Sequence, residues 1–143
     1  MTGYLVDTNV LSEFNRRGQP DPHVKRWLAS VETDSLYASI ITFGEIRLGI
    51  ELLPEGKRRA QLERWIEHDL HSWFEGRLLM VDEAIMDQWA LLMARRQLQG
   101  RPLDILDGLL AATALCHGLN VATRNAKDFA DLGVEVLNPW EAA

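Results

Sequence analysis

Three features predict an α/β fold, a three-layer α/β/α sandwich around a central, mainly parallel sheet of about five strands. Short apolar runs at residues 4–7, 36–38, 78–81, 120–123 and 134–137 read as strands, and longer segments with helical apolar spacing separate them. Strands that alternate with helices imply right-handed crossovers, which set the strands parallel and cover both faces of the sheet. The length, 143 residues, is typical of one domain. No repeat, low-complexity tract or Pro/Gly-rich linker divides it, so one domain over residues 1–143 is expected.

The first strand, residues 4–7, ends on a carboxylate, Asp7, and a helix is expected over residues 8–16. The run Gly18-Gln19-Pro20-Asp21-Pro22 interrupts it, because proline removes a donor and restricts its predecessor. A second helix over residues 22–31 buries Val24, Trp27, Leu28 and Val31. After the strand at 36–38, Ser39 to Glu45 opens a helix that carries Ile46, Ile50 and Leu53 and stops at Pro54. Thr42 and Glu45 have the spacing of a capping box. Residues 55–74 read as one charged helix with Leu62, Trp65, Ile66, Leu70 and Trp73 along an apolar stripe. Asp82 and Glu83 start a helix that runs to about Gln99 and stops at Gly100. Residues 104–117 form a helix that is apolar almost all round and ends at Gly118. A turn and short helix at 125–132 precede the last strand.

Composition narrows the function. With 47% hydrophobic and 25% charged residues the chain reads as a soluble globular protein. No apolar run approaches the roughly 18 residues that suggest a membrane span. The N-terminus has no basic segment followed by an apolar signal region, so a cytoplasmic protein is expected. Cys116 is alone, which excludes an intrachain disulfide, and its apolar segment predicts a buried thiol. A net charge of −6 argues against binding nucleic acid through the overall field. It remains compatible with a metal-dependent nuclease, which concentrates carboxylates at its site, and with a basic partner.

The carboxylates converge. Ligands of open parallel sheets sit beyond the carboxyl ends of the strands. Asp7 ends strand one, Glu45 opens the helix after strand two, and Asp128 lies just beyond strand four. Asp107 lies in an apolar helix beside the small Ala111 and Ala114, where an unpaired carboxylate needs a partner, a proton or a metal. Each has a plainer reading: Asp7 or Thr8 as a helix cap, Glu45 as the partner of Thr42 in a capping box, Asp107 as the companion of an N-cap at Asp104, and Asp128 as the cap of a helix beginning at Phe129. Four such readings would have to hold together at one end of the sheet. Two charges about 5 Å apart repel by roughly 3 kcal/mol at an effective dielectric of 20. A divalent cation removes that penalty, and oxygen-only ligation selects Mg2+ or Mn2+. A metal-bound water then becomes a nucleophile for a phosphodiester. Thr8, Asn9, Thr123 and Asn125 are candidates to orient that water or a phosphate oxygen.

Over essentially its whole length the chain resembles the PIN-domain family, nearest the VapC/FitB-like toxins of bacterial toxin–antitoxin pairs. The resemblance lies in Leu5-Val6-Asp7-Thr8-Asn9-Val10-Leu11, in Ser39 through Glu45 with Arg47-Leu48-Gly49, in Asp107-Gly108-Leu109-Leu110-Ala111-Ala112-Thr113-Ala114, in Ala122-Thr123-Arg124-Asn125-Ala126-Lys127-Asp128-Phe129, and in Leu137-Asn138-Pro139-Trp140. It implies a PIN-like sandwich and a Mg2+- or Mn2+-dependent endoribonuclease. It also implies a homodimer and a VapB/FitA-like antitoxin, typically DNA-binding, that inserts a peptide into the acidic pocket. Operator DNA is then met through the antitoxin. Asp7, Glu45 and Asp107 match the family's acidic positions. Some members place the fourth acid where Asn125 stands and others where Asp128 stands; Asp128 is taken here. Asp7 and Asp107 are expected to hold the metal directly, and Glu45 and Asp128 directly or through water. Asp104 is left as a cap.

Several features carry less. His68 and His71, three residues apart in a charged helix, read as a solvated face, as do Lys57-Arg58-Arg59 with Arg64 and Arg95-Arg96 with Arg101, although phosphate contacts are an alternative for these cations. Trp65 and Trp73 read as core or interface. A haloacid-dehalogenase-type phosphatase shares the acid after strand one but needs a second Asp two residues later, where this chain has Asn9. A non-catalytic PIN-fold binding module is the other alternative.

Overall fold

The computed structural model describes residues 2–15 and 19–142. Five parallel strands, β1 (Tyr4–Val6), β2 (Leu36–Ser39), β3 (Leu78–Leu79), β4 (Asn120–Ala122) and β5 (Val136–Leu137), form the sheet in the order β3-β2-β1-β4-β5. Side chains alternate between its faces. Leu5 and Val121 enter one core, while Val6 and Ala122 enter the other. The expected sandwich is therefore present.

The first core lies under α1 (Thr8–Ser12), α2 (Pro22–Ser30), α3 (Ile40–Glu51) and a long helix that runs from α4 (Lys57–Arg64) through a π turn (Trp65–Leu70) into α5 (His71–Trp73). The second lies under α6 (Glu83–Leu98) and α7 (Ile105–His117). Helix α1 tightens into a 3-10 turn at Glu13–Asn15, and the remaining residue of the expected helix, Arg16, lies outside the described residues. Along the expected stripe of the long helix, Ile66 and Leu70 are buried and Leu62 and Trp65 pack at their flank. Trp73 is 43% exposed, with Arg77 laid over its ring. His68 and His71 are exposed, as a solvated helix face requires.

Some expectations fail for physical reasons. Strand β3 stops at Leu79 because its neighbour β2 turns into α3 at Ser39, so Met80 has no strand to pair with. Strand β5 begins at Val136, since its only neighbour β4 supplies pairing at Val121 and Ala122. Thr42 does not open α3. Ser39 is the N-cap, its hydroxyl accepting from Ile41 N, and Thr42 sits fully buried one turn in with its hydroxyl unbonded. Cys116 is exposed rather than buried: α7 runs past the core in its last turn, and Cys116, His117 and Gly118 all face solvent. Gly118 then takes φ 64, the left-handed C-cap that glycine adopts without strain.

Helix α7 lies against α6 through Gly108. A Cβ there would stand 2.8 Å from Met93 Sδ, 3.2 Å from Trp89 Cδ1 and 3.3 Å from Leu103 Cδ2. Gly44 in α3 has nothing within 4 Å of that position. Gly108→Ala is therefore expected to lower stability by about 1–2 kcal/mol through overpacking. Gly44→Ala is expected to raise it by about 0.5–1 kcal/mol through helix propensity. Urea denaturation of both variants checks the opposite signs.

Candidate active site

Because all five strands run one way, everything that follows a strand starts at one edge of the sheet. Asp7 follows β1 there. Ser39 starts α3 directly from β2 and places Glu45 in its second turn. Thr123 to Asn125 leave β4 at the same edge. Helix α7 runs back to feed β4, so its N-terminal turn, with Asp104 and Asp107, also lies at that edge.

Asp7 is the hub. It is 8% exposed and is the N-cap of α1, its Oδ1 accepting from Thr8 N at 2.7 Å. The capping reading is thus correct but incomplete. The other oxygen, Oδ2, accepts from the fully buried Thr123 hydroxyl at 2.8 Å and from Asn9 Nδ2 at 3.4 Å. Asn9 Nδ2 also donates to Thr123 Oγ1 at 3.3 Å, and Asn9 Oδ1 accepts from Arg124 N at 3.1 Å. Asn125 N donates to Thr123 Oγ1 at 3.1 Å. Two loops from adjacent strands are thereby tied around one carboxylate.

Glu45 is half-buried. Its Oε1 accepts from Thr8 Oγ1 at 3.0 Å, which connects α3 to the residue after Asp7. It is no capping-box partner, since the cap is Ser39. Burial pushes its carboxyl up, the Thr8 hydrogen bond opposes this, and the charges of Asp7 and Asp104 add to the rise. Asp107 is half-buried too, and its carboxyl is pushed up to about 6, by burial first and then by Asp104, Asp7, Asp128 and Glu45. Asp104 is the N-cap of α7, accepting from Leu106 N and Asp107 N at 3.1 Å each. It is also the neighbouring charge that acts most strongly on Asp107, a role its capping position alone did not reveal. Asp128 is exposed. It lies inside a 3-10 turn, Ala126–Phe129, rather than capping a helix that begins at Phe129, and its charge reaches Asp107.

The residues fit a hard divalent cation in kind. The donors are carboxylate oxygens, and burial together with neighbouring acids disfavours the charged form of two of them. A cation reverses both effects. Among the described residues no three His, Cys, Asp or Glu side chains come close enough to clamp one ion. As these side chains stand, one ion would be reached directly by at most two of the carboxylates and otherwise through water. A hollow of about 460 Å3, lined by Thr8, Ser12, Glu45, Arg58 and Trp65 among others, opens beside Glu45. A second, apolar hollow of about 330 Å3 between Leu11, Phe14, Leu28, Trp65 and Trp73 has none of the four carboxylates in its wall.

Most of the basic residues singled out from the sequence are engaged within the protein. Arg59 pairs with Glu51 and Glu63 at 2.8 Å each, and Arg58 donates to Asn15 O. Arg96 donates to Arg101 O at 2.9 Å, and Arg101 lies 3.7 Å from Asp131. Arg124, not singled out, stands differently. It follows Thr123, and its guanidinium lies 5.1 Å over the Trp140 ring. Its place inside Thr123-Arg124-Asn125 was the available signal.

Comparison with known proteins identifies the family and the fold. The PIN domain family matches residues 4–135. "VapC ribonuclease Y4jK" of Sinorhizobium fredii is 37% identical, over 97% of this chain and 99% of its own. "Toxin FitB" of Neisseria gonorrhoeae is 40% identical, over 95% of this chain and 97% of its own. The solved structure of FitAB bound to an IR36 DNA fragment superposes with a TM-score of 0.90 at 38% identity, covering 98% of this chain and 97% of that one. With a family match over nearly the whole sequence, relatives of this identity and the same fold, the chain belongs to the PIN-domain family.

Proposed function

We propose that the protein is a metal-dependent endoribonuclease, the toxin of a toxin–antitoxin pair, which hydrolyses RNA phosphodiester bonds with a metal-activated water. The observation that carries this reading is the buried Asp7 carboxylate, fixed by Thr8, Asn9 and Thr123 and facing two acids that burial and mutual repulsion hold toward protonation. A bound Mg2+ or Mn2+ would neutralise these carboxylates and lower the pKa of a coordinated water, making hydroxide available near neutral pH.

The chain's own residues prepare the site. Thr123 and Asn9 both donate to Asp7 Oδ2 and Thr8 N donates to Oδ1, so Oδ1 is the oxygen that keeps a lone pair for the cation. Asp107 is the second direct ligand in this reading. Glu45 Oε1 is oriented by Thr8, which leaves Oε2 for the metal or its water. Asp128, more exposed, acts through a water or a second ion. Asn125 supports the Thr123 hydroxyl through its backbone N–H. Asn9 is an amide donor here and cannot serve as the general acid a phosphatase of the haloacid-dehalogenase type requires. The FitAB complex on DNA supports an antitoxin partner, and the family resemblance adds operator DNA bound through it and a homodimer. The toxin reading places the protein in the cytoplasm; no helix among the described residues is long and apolar enough to cross a membrane.

Asp7→Asn and Asp107→Asn are each expected to lower RNA cleavage at least about 100-fold while far-UV circular dichroism stays unchanged. Cleavage should stop in EDTA and leave 5′-phosphate and 3′-hydroxyl ends. Cyclic phosphates that persist in the chelator overturn this chemistry, and a folded protein that cleaves no RNA in Mg2+ or Mn2+ points to a non-catalytic module.

Asp107 also makes a stability prediction. Its folded carboxyl lies above the ordinary aspartate range, so the folded state holds the proton more tightly. Its contribution is fully present below about pH 4 and is lost as pH rises through about 6. At about 1.4 kcal/mol per pH unit the loss is at most about 3 kcal/mol, and screening of a half-exposed group reduces it to about 1 kcal/mol. In EDTA, Asp107→Asn should therefore be more stable than wild type by about 1 kcal/mol at pH 8 and nearly equal to it at pH 4, read by urea denaturation.

A further inference from the structure

We propose that Arg124, laid on the Trp140 ring, binds the RNA backbone at a phosphate beside the one that is cleaved. This rests on the ribonuclease reading above and adds how an acidic site in an acidic protein retains a polyanion.

Four observations carry it. The guanidinium carbon lies 5.1 Å from the Trp140 centroid, so a cation–π contact restrains the side chain. A cation–π contact uses no N–H donor, so the guanidinium keeps its donors for a phosphate, which an arginine can meet bidentately. Among the described residues the guanidinium has no carboxylate within ion-pair distance and no acceptor, although Arg124 is exposed and the chain carries a formal charge of −6. The backbone is fixed on both sides. Arg124 N donates to Asn9 Oδ1 at 3.1 Å, and Arg124 O accepts from Asn138 Nδ2 at 3.3 Å. Asn138 Oδ1 in turn accepts from Trp140 N at 2.9 Å, so the residue that holds Arg124 also sets the Trp140 platform.

Position gives the site its meaning. Arg124 follows Thr123, whose hydroxyl bonds Asp7, and Asn9 bonds both Asp7 and Arg124. The cation is thus referenced to the same carboxylate as the chemistry. Arg124 is exposed where Asp7 is buried, which suits the guanidinium to a neighbouring phosphate rather than the scissile one.

The test is binding of a short, mixed-sequence single-stranded RNA in Ca2+, followed by fluorescence anisotropy across a salt series with RNA integrity checked on the same samples. One lost phosphate contact on a single strand should flatten the slope of log K against log salt by about 0.7. Arg124→Gln is expected to show that change and to weaken binding about tenfold at low salt. In Mg2+ its KM for cleavage should rise about tenfold with kcat within about threefold of wild type. Arg124→Lys should restore the slope and only part of the affinity. Trp140→Leu should raise KM severalfold and Trp140→Phe should rescue it, as expected of a positioning residue. An unchanged salt slope in a folded Arg124→Gln protein, or a fall in kcat at constant KM, overturns the proposal. Wild type that binds RNA with the Arg124-dependent slope but cleaves none overturns the nuclease reading, and with it the placement beside a cleaved phosphate, and leaves only the backbone contact of Arg124.

Discussion

A buried carboxylate needs more hydrogen bonds than its own helix supplies, and Asp7 obtains them from the neighbouring strand. Thr8 N satisfies one oxygen locally, but the other depends on Thr123, which is 116 residues away in sequence and one strand away in space. That bond exists because β1 and β4 are parallel neighbours in register, Val6 opposite Ala122, so their carboxyl ends finish side by side. Asn9 then closes the ring by holding Thr123 and Arg124 together. The Thr123 hydroxyl, itself fully buried, is satisfied in both directions, which is the condition under which a buried polar network rigidifies a site.

The same edge collects charge that the fold does not neutralise. Asp104 serves α7 as its cap and at the same time pushes Asp107 toward protonation, while Asp7, Asp128 and Glu45 add to the effect. Folding thus gathers electrostatic repulsion at the carboxyl ends of the strands, which a bound cation would relieve. The cost is borne by the two cores, in which α6 and α7 close over Gly108 on one face and α1 to α5 cover the other. Capping, packing and chemistry therefore share residues, and a change at Asp7 or Asp107 touches more than one of them.

Charge of the opposite sign is handled by two different means. Arg59 and Arg101 approach acids of their own chain, and Arg58 is held on a backbone carbonyl. Arg124 is instead held by an aromatic face and a fixed backbone, which orders the side chain without consuming its donors. The basic runs that look suited to RNA in the sequence are largely occupied in the fold. The isolated arginine in the β4 loop keeps its donors open.

Much was determined by the sequence itself. Apolar spacing gave the strand–helix alternation, and with it a parallel sheet whose strands point Asp7, Glu45 and Thr123 to one edge. Proline, glycine and Asx positions marked most helix ends, because caps and breakers act through neighbouring residues. What the sequence could not resolve depended on residues far apart along the chain. Thr42 and Glu45 have capping-box spacing, yet Ser39 caps α3 and Glu45 turns to Thr8, since the strand before it ends at Ser39. Cys116 sits in an apolar run, yet its helix outruns the core that would bury it. The second role of Asp104 and the cation–π contact of Arg124 likewise required partners contributed by separate loops. Local pattern settles where elements begin, because the forces involved span a few residues; which side chains share one carboxylate or one ring is decided when the sheet brings distant loops together.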